Sequence, residues 1–286
     1  MILIGTCNWA DHRGFYPPEL ERTSRQKDRL PYYARYFPIV EIDSSWYGIP
    51  SPKSTTRWVE QTPDDFRFDI KAFRTLTGHG LPKDRRRKPA PEEERDFELA
   101  LEPLRDAGKL RAIQYQLPPW ATNNDRSREL ILAARERHLD DLIAFEFRHH
   151  SWYDDGALAE TEALTREIGA VLIAVDAPQV GKGTVPPVAS VTSSRLAIVR
   201  FHGRNARTWY RRTGSSAERF DYLYDRAELE EWKPGLQEMA RQAKEVHALM
   251  NTNRGNQGPA NAYRLAAVLG IELPEPPAQL ADDASF

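Results

Sequence analysis

The sequence predicts an α/β fold built as a single closed barrel of eight parallel strands, and three observations lead there. Short runs rich in β-branched and aromatic residues recur eight times along the chain, each followed by a connection, most of which show helical spacing or capping signals. Parallel strands need a crossover that a helix supplies, and eight is the strand number at which such a sheet closes on itself. A length of 286 residues suits one such barrel as a single unit. A doubly wound open sheet competes, but no G-x-G-x-x-G follows the first run, which removes the usual support for a dinucleotide-binding version. The expected fold is therefore the (β/α)8, or TIM, barrel.

The elements follow in order. ILIGTCNW is the first strand run, and RQKDRLPYYARYF after it spaces apolar residues three or four apart. IVEIDSSWY leads to SPKSTTRWVEQ, FRFDIKAF to APEEERDFELALEPLRDAG, LRAIQYQL to SRELILAARERHL, and LIAFEFRHH to GALAETEALTREIGA. The sixth run, AVLIAVDAP, is followed by VGKGTVPPVASVTSS, too rich in glycine and proline to predict a helix. LAIVRFHG precedes RAELEEWKPGLQEMARQAK, where Pro234 predicts a kink or a break, and VHALMNTN precedes GPANAYRLAAVLG. The barrel is expected over residues 1–272. Residues 273–286, rich in proline and acid with little to bury, read as a flexible C-terminal tail.

Composition narrows the function classes. A hydrophobic fraction of 40% with 29% charged residues suits a soluble globular enzyme and not a disordered chain. The formal net charge of -2 provides no global field for a polyanion, so nucleic-acid contact would rest on local basic patches. The lone cysteine, Cys7, excludes an internal disulfide and a thiolate metal cluster and fits a reducing compartment. The apolar start is too short to span a bilayer and lacks a basic leader, so a cytoplasmic location without membrane contact is expected.

Alternation along each strand separates two faces. In LIAFEFRHH, Ile143, Phe145 and Phe147 point to one side and Ala144, Glu146 and Arg148 to the other, at successive levels roughly 6.6 Å apart. With the aromatic side against helices, the inner set over the whole chain becomes polar toward the C-terminal strand ends. It comprises Glu41, Asp43 and Ser45; Asp69 and Lys71; Gln114 and Gln116; Glu146 and Arg148; Asp176; Arg200, His202 and Arg204; Asn251 and Asn253. A barrel interior is ordinarily layered with valine, isoleucine and leucine. Moving one ion into a dry interior costs several kcal/mol, so these charges must pair with one another or line a wet pocket. A self-satisfied network is one reading; a site at the C-terminal mouth is the favoured one.

Lys71, Arg148 and Arg200 make that site cationic, and arginine's planar fork suits phosphate or carboxylate. A small anionic ligand is the expected partner. Glu146 and His202 are the candidates for proton transfer, with Asp176 completing the catalytic set. Glu146, Asp176 and His202 also form the alternative ligand set for a divalent metal, Mn²⁺, Mg²⁺ or Zn²⁺. The eighth loop, NRGNQGPANA, places glycines before a helix start where phosphate is often held. VRFHGRNARTWYRR and LPKDRRRKP interleave or cluster basic residues, the pattern of a nucleic-acid surface. Cys7 reads as a small packing residue on the side away from Thr6 and Asn8, and His149 and His150 as strand neighbours that diverge.

Across nearly the whole chain the motifs GTCNW, GFYPPEL, LPYYARYFPIVEIDSSWYGIPS, TPDDFRFDIKAFRTLTGH, QLPPW, FEFRHHSW, VRFHGR and NQGPANA resemble the YecE-like family, domain of unknown function 72. The resemblance implies a TIM barrel and no particular reaction. Residue by residue it marks Glu41 and Tyr47, Lys71 and His79, Gln116 and Pro118, Glu146, Arg148 and Trp152, Asp176, Arg200, His202 and Gly203, and Asn253. Together with the alternation this gives a ligand-binding set of Glu41, Tyr47, Lys71, His79, Gln116, Arg148, Trp152, Arg200, Arg204, Asn251 and Asn253. The expected function is acid–base or hydrolytic chemistry on a phosphorylated or otherwise anionic substrate. A metal-dependent phosphodiesterase or nuclease-like enzyme and a non-catalytic nucleic-acid-binding protein are the alternatives.

Overall fold

The β-branched and aromatic runs form strands β1 (Ile2–Cys7), β2 (Ile39–Ile42), β3 (Arg67–Lys71), β4 (Leu110–Gln116), β5 (Ile143–Glu146), β6 (Val171–Leu172), β7 (Ala174–Asp176), β8 (Leu196–Phe201) and β9 (Glu245–Met250). The computed structural model describes residues 1–22, 27–80, 88–154, 156–211 and 216–285. All pairings are parallel, in the order β6-β5-β4-β3-β2-β1-β9-β8-β7. The two ends of that order, β6 and β7, are consecutive stretches separated only by Ile173. They fill the sixth position of the barrel together, so the predicted ring of eight is nearly closed with one strand interrupted.

Helices α1 (Pro18–Glu21), α2 (Arg29–Tyr33), α3 (Pro52–Glu60), α4 (Pro91–Asp106), α5 (Asp125–Arg137) and α6 (Ala157–Glu167) follow the first five strands. After β8 come α7 (Ser216–Arg219), α8 (Arg226–Glu230) and α9 (Lys233–Gln242); after β9 come α10 (Gln257–Leu269) and α11 (Ala281–Ala284). Starts and stops have local causes. Ser51 accepts from the Ser54 amide with Pro52 in the first turn of α3, and Asn124 accepts from the Ser127 amide at α5. The chain breaks between α8 and α9 ahead of Pro234, which sits in the first turn of α9. No helix forms between β7 and β8, as the glycine- and proline-rich connection predicts. Among the described residues no helix is long and apolar enough to cross a membrane.

Two apolar clusters separate the faces of the ring. The larger joins outward strand residues such as Ile113, Tyr115, Phe145, Phe147 and Val199 to Phe97, Leu101 and Leu104 of α4 and Ile131 of α5. The smaller lies inside the barrel: Cys7, Ile39, Ala112, Ala144, Val171, Ile173, Val175, Ile198 and Leu249. This belt forms the dry middle of the barrel, and the polar groups lie above and below it. Three expectations are corrected at the edges. β2 and β5 end earlier than their apolar runs, at Ile42 and Glu146, and pass into 3-10 turns at Ser44–Trp46 and His150–Trp152. His149 and His150 therefore lie beyond the strand, with ring centroids 4.6 Å apart. The C-terminal segment expected as a loose tail packs against the barrel, with Leu280 fully buried and the Gln279 amide donating to the Phe15 carbonyl at 2.9 Å.

Candidate site at the barrel mouth

Alternation delivers Glu41 from β2, Lys71 from β3, Gln116 from β4, Glu146 from β5, Arg200 from β8 and, just beyond the strand ends, Arg148, His202 and Asn251 to one interior. Arg200 is the hub. Its Nε and Nη2 donate to the two oxygens of Glu41 at 2.8 and 2.6 Å, while Nη1 donates to Glu146 Oε2 and, at 3.3 Å, to Gln116 Oε1. Glu146 Oε1 accepts from Arg148 Nη1 at 2.7 Å and from His202 Nε2 at 3.1 Å. Asn251 Nδ2, which only donates, lies 2.8 Å from His202 Nδ1. The imidazole proton therefore sits on Nε2 and points at Glu146. Above this layer Lys71 Nζ pairs with Asp43 Oδ1 at 2.7 Å and contacts Gln116 Oε1 at 3.4 Å.

Burial sets the charge states. Glu41 and Glu146 are fully buried and Arg200 and His202 are 1% exposed, whereas the side chains of Arg148 and Asp43 reach 10% and 22%. Burial opposes ionisation of Glu146, but Arg200, His202 and Arg148 outweigh it and hold the carboxyl well below the usual range. For Glu41 burial prevails over Arg200 and the carboxyl is pushed up. Burial also holds His202 neutral, lowering it to about 4 despite Glu146. Every polar side-chain atom of Glu146 and His202 is thus engaged within the protein, which fits a frame for the two arginines better than a proton donor or acceptor.

Nearer the opening the aromatics and free cationic surfaces gather. Arg148 lies over the Trp209 ring at 5.1 Å, and Arg74 and Lys71 lie over Trp46 at 4.4 and 5.5 Å. Tyr47, packed edge-on against Trp46, is 62% exposed. His79 packs edge-on against Trp46 at 5.0 Å, and burial followed by the charges of Lys71, Arg74 and Arg148 lowers it to about 3. Of the predicted set, then, Glu41, Tyr47, Lys71, His79, Gln116, Arg148, Arg200, His202 and Asn251 come together around the mouth with Glu146.

Four predicted members do not: Asp176, Arg204, Trp152 and Asn253. Asp176 belongs to the helix-facing side of its strand, because Val171, Ile173 and Val175 fill the interior. Its carboxylate accepts from Trp232 Nε1 at 2.7 Å, from the Tyr224 hydroxyl and from Arg204 Nε and Nη2. The one-residue phase error on the sixth strand thus removes Asp176 from the catalytic set, removes the Glu146–Asp176–His202 metal set, and turns Arg204 into a structural partner. Trp152 is fully buried in the helix layer, stacked on Phe147 at 4.3 Å with its Nε1 donating to the Ala121 carbonyl. Asn253 Oδ1 is buried without a hydrogen-bond partner among the described residues, and no contact ties it to the network. Those residues do bring together one group of three metal-ligand types, Glu98, His138 and Asp141, within 4.8 Å, and Arg105 already pairs with both carboxylates there.

Of the basic surface patterns, Lys83 to Arg87 and Arg212 lie outside the described residues, and Trp209 is buried beneath Arg148. The eighth loop does not leave its helix start open: Gly258, Pro259 and Ala260 are buried, and a Cβ on Gly258 would lie 2.8 Å from the His12 ring. Sequence reasoning missed His247, which bonds Asp69 Oδ2 at 2.8 Å in a second polar layer. Counting back in twos from Asn251 through Leu249 would have found it. Arg74 and Trp209 sit on loops, where no periodicity signals direction.

The sequence and the fold agree with known proteins. The family model "Protein of unknown function DUF72" matches residues 3–283. UPF0759 protein YunF of Bacillus subtilis is 35% identical over 279 residues, covering 95% of this chain and 96% of its own. UPF0759 protein YecE of Escherichia coli is 39% identical over a shorter stretch of 77 residues, 27% of this chain and 25% of its own. A crystal structure of a DUF72 family protein from Enterococcus faecalis superposes with a TM-score of 0.83 at 28% identity, covering 95% of this chain and 96% of that one. Another from Thermotoga maritima gives 0.78 at 29% identity, covering 94% and 99%. A match over almost the full length places this chain in the DUF72 family.

Proposed function

We propose that the C-terminal mouth of the barrel binds a small phosphoryl or carboxylate anion between Lys71, Arg74, Arg148 and His79. The observation that carries this reading is the charge facing His79: Lys71 and Arg74 lie over the Trp46 ring against which His79 packs, and together with Arg148 they depress it. The wider balance points the same way. Glu41, Asp43 and Glu146 supply three negative charges against the four of Lys71, Arg74, Arg148 and Arg200, leaving one positive charge over. An arginine already oriented by a carboxylate on one edge and an indole on its face has donors left for an oxyanion at little entropic cost. Glu146, Glu41 and His202 hold that geometry from below.

Acid–base or hydrolytic chemistry on the bound anion is the activity this arrangement fits, with the reacting groups above the sealed Glu146–His202 layer and not within it. Isothermal titration with inorganic phosphate tests the binding. Lys71→Gln and Arg148→Gln are each expected to weaken it about tenfold, the loss of one charge-assisted hydrogen bond. Affinity unchanged in both variants would overturn the reading.

A further inference from the structure

The mouth has one feature that a simple cationic anion site lacks: an open acceptor among its cations. The Thr77 hydroxyl donates to the Arg74 carbonyl at 2.9 Å, so its oxygen is left to accept from His79 Nδ1 at 2.8 Å. With the hydroxyl proton on that carbonyl, the imidazole proton lies on Nδ1 and the lone pair on Nε2. Nε2 has no hydrogen-bond partner among the described residues. His79 is half-buried, with Trp46 edge-on to one side and Lys71, Arg74 and Arg148 as the charged groups acting on the ring. Burial and those three cations keep the ring neutral near neutral pH.

We propose that His79 Nε2 sorts the anions entering the mouth, accepting a hydrogen bond from an oxyanion that carries its own O–H and opposing one that carries none. This rests on the anion-binding reading above and names its ligand class: a monohydrogen phosphoryl group or a hydroxylated carboxylate, not a fully deprotonated oxyanion such as sulfate. The physical basis is an asymmetry of hydrogen bonding. Both kinds of anion satisfy the cations equally, but only the protonated one has a donor for Nε2. The other sets an oxygen lone pair against a nitrogen lone pair, leaving a half-buried acceptor unmet.

Titration calorimetry of the full chain with inorganic phosphate and with inorganic sulfate near neutral pH tests it. Phosphate is expected to bind about tenfold or more tighter than sulfate, the worth of one hydrogen bond to a charged group. His79→Ala should bring the two affinities together by raising that for sulfate, and Thr77→Val, which frees the tautomer, should narrow the gap as well. Nitrogen-15 shifts of ligand-free protein should show His79 protonated at Nδ1 alone. Equal binding of both anions, weakened alike by Lys71→Gln and Arg148→Gln, would overturn the role of His79 and leave the anion site standing. An Nε2–H tautomer would overturn it directly. Failure of both anions to bind would remove the site and this inference together.

Discussion

Replacing Arg200 by leucine tests how the interior network is held together. Arg200 is 1% exposed and donates to both oxygens of Glu41, to Glu146 and to Gln116. Glu146 would keep Arg148 and His202, so the loss falls on Glu41, whose remaining contact among the described residues is the Cys7 thiol at 3.4 Å. Removing one partner of a buried pair costs about 3–5 kcal/mol, because a carboxylate is left charged without compensation or must take up a proton. Urea unfolding followed by tryptophan fluorescence should show this as a lower midpoint at unchanged slope. The loss should shrink in acid. Burial already pushes the Glu41 carboxyl up, and without Arg200 it rises further. A carboxyl whose folded pKa exceeds its unfolded value binds its proton on folding, so stability returns as pH falls through the folded value. The double variant Glu41→Gln with Arg200→Leu should recover most of the deficit. A deficit below about 1 kcal/mol, the level of an exposed pair, and equal at both pH values would refute the reasoning.

Other outcomes follow from the same contacts. Burial lowers His12 and His202 to about 4; since these folded values lie below the unfolded one, their stabilisation is complete above the ordinary histidine range and is lost as pH falls toward 4. Each is worth about 3 kcal/mol, and the depressed Glu146 acts in the same direction, so urea midpoints should drop steeply in acid; a flat profile would contradict this. Gly203 has φ +79°, and a Cβ there would lie 2.4 Å from Tyr222 Cβ, so Gly203→Ala should cost about 2 kcal/mol or more in thermal unfolding. Cys7 is buried and its thiol is pushed up by burial and Glu41, so thiol reagents should label it only on the timescale of unfolding; rapid labelling of native protein would place it elsewhere.

Most of the fold was legible because strand and helix periods leave separate marks, and β-branched runs separated by helical spacing occur only in a few architectures. The lumen was legible wherever alternation stayed in phase, from Glu41 to Arg200. It failed on the sixth strand. AVLIAVDAP is apolar on both faces up to Asp176, so no alternation distinguishes the face of Val175 from the face of Asp176, and a one-residue slip exchanges them. The contacts of the folded chain, with Trp232, Tyr224 and Arg204 on the carboxylate, decide the phase. By periodicity the mouth itself was the least legible part, since Arg74, Trp209 and the Thr77–His79 pair lie on loops whose direction depends on tertiary contacts; His79 was marked by the family resemblance and not by alternation. Charge pairing was also hidden: the sequence listed the ions, but the fully engaged state of Glu146 and His202 emerges only from distances.

The most direct measurement of the central claim is a crystal structure of the protein with inorganic phosphate. Density for the anion is expected at the mouth, within hydrogen-bonding distance of Lys71 Nζ, the Arg148 guanidinium and His79 Nε2. Phosphate bound only on the outer rim, at Arg207 or Arg211 for example, with no anion beside Lys71 and Arg148, would contradict it.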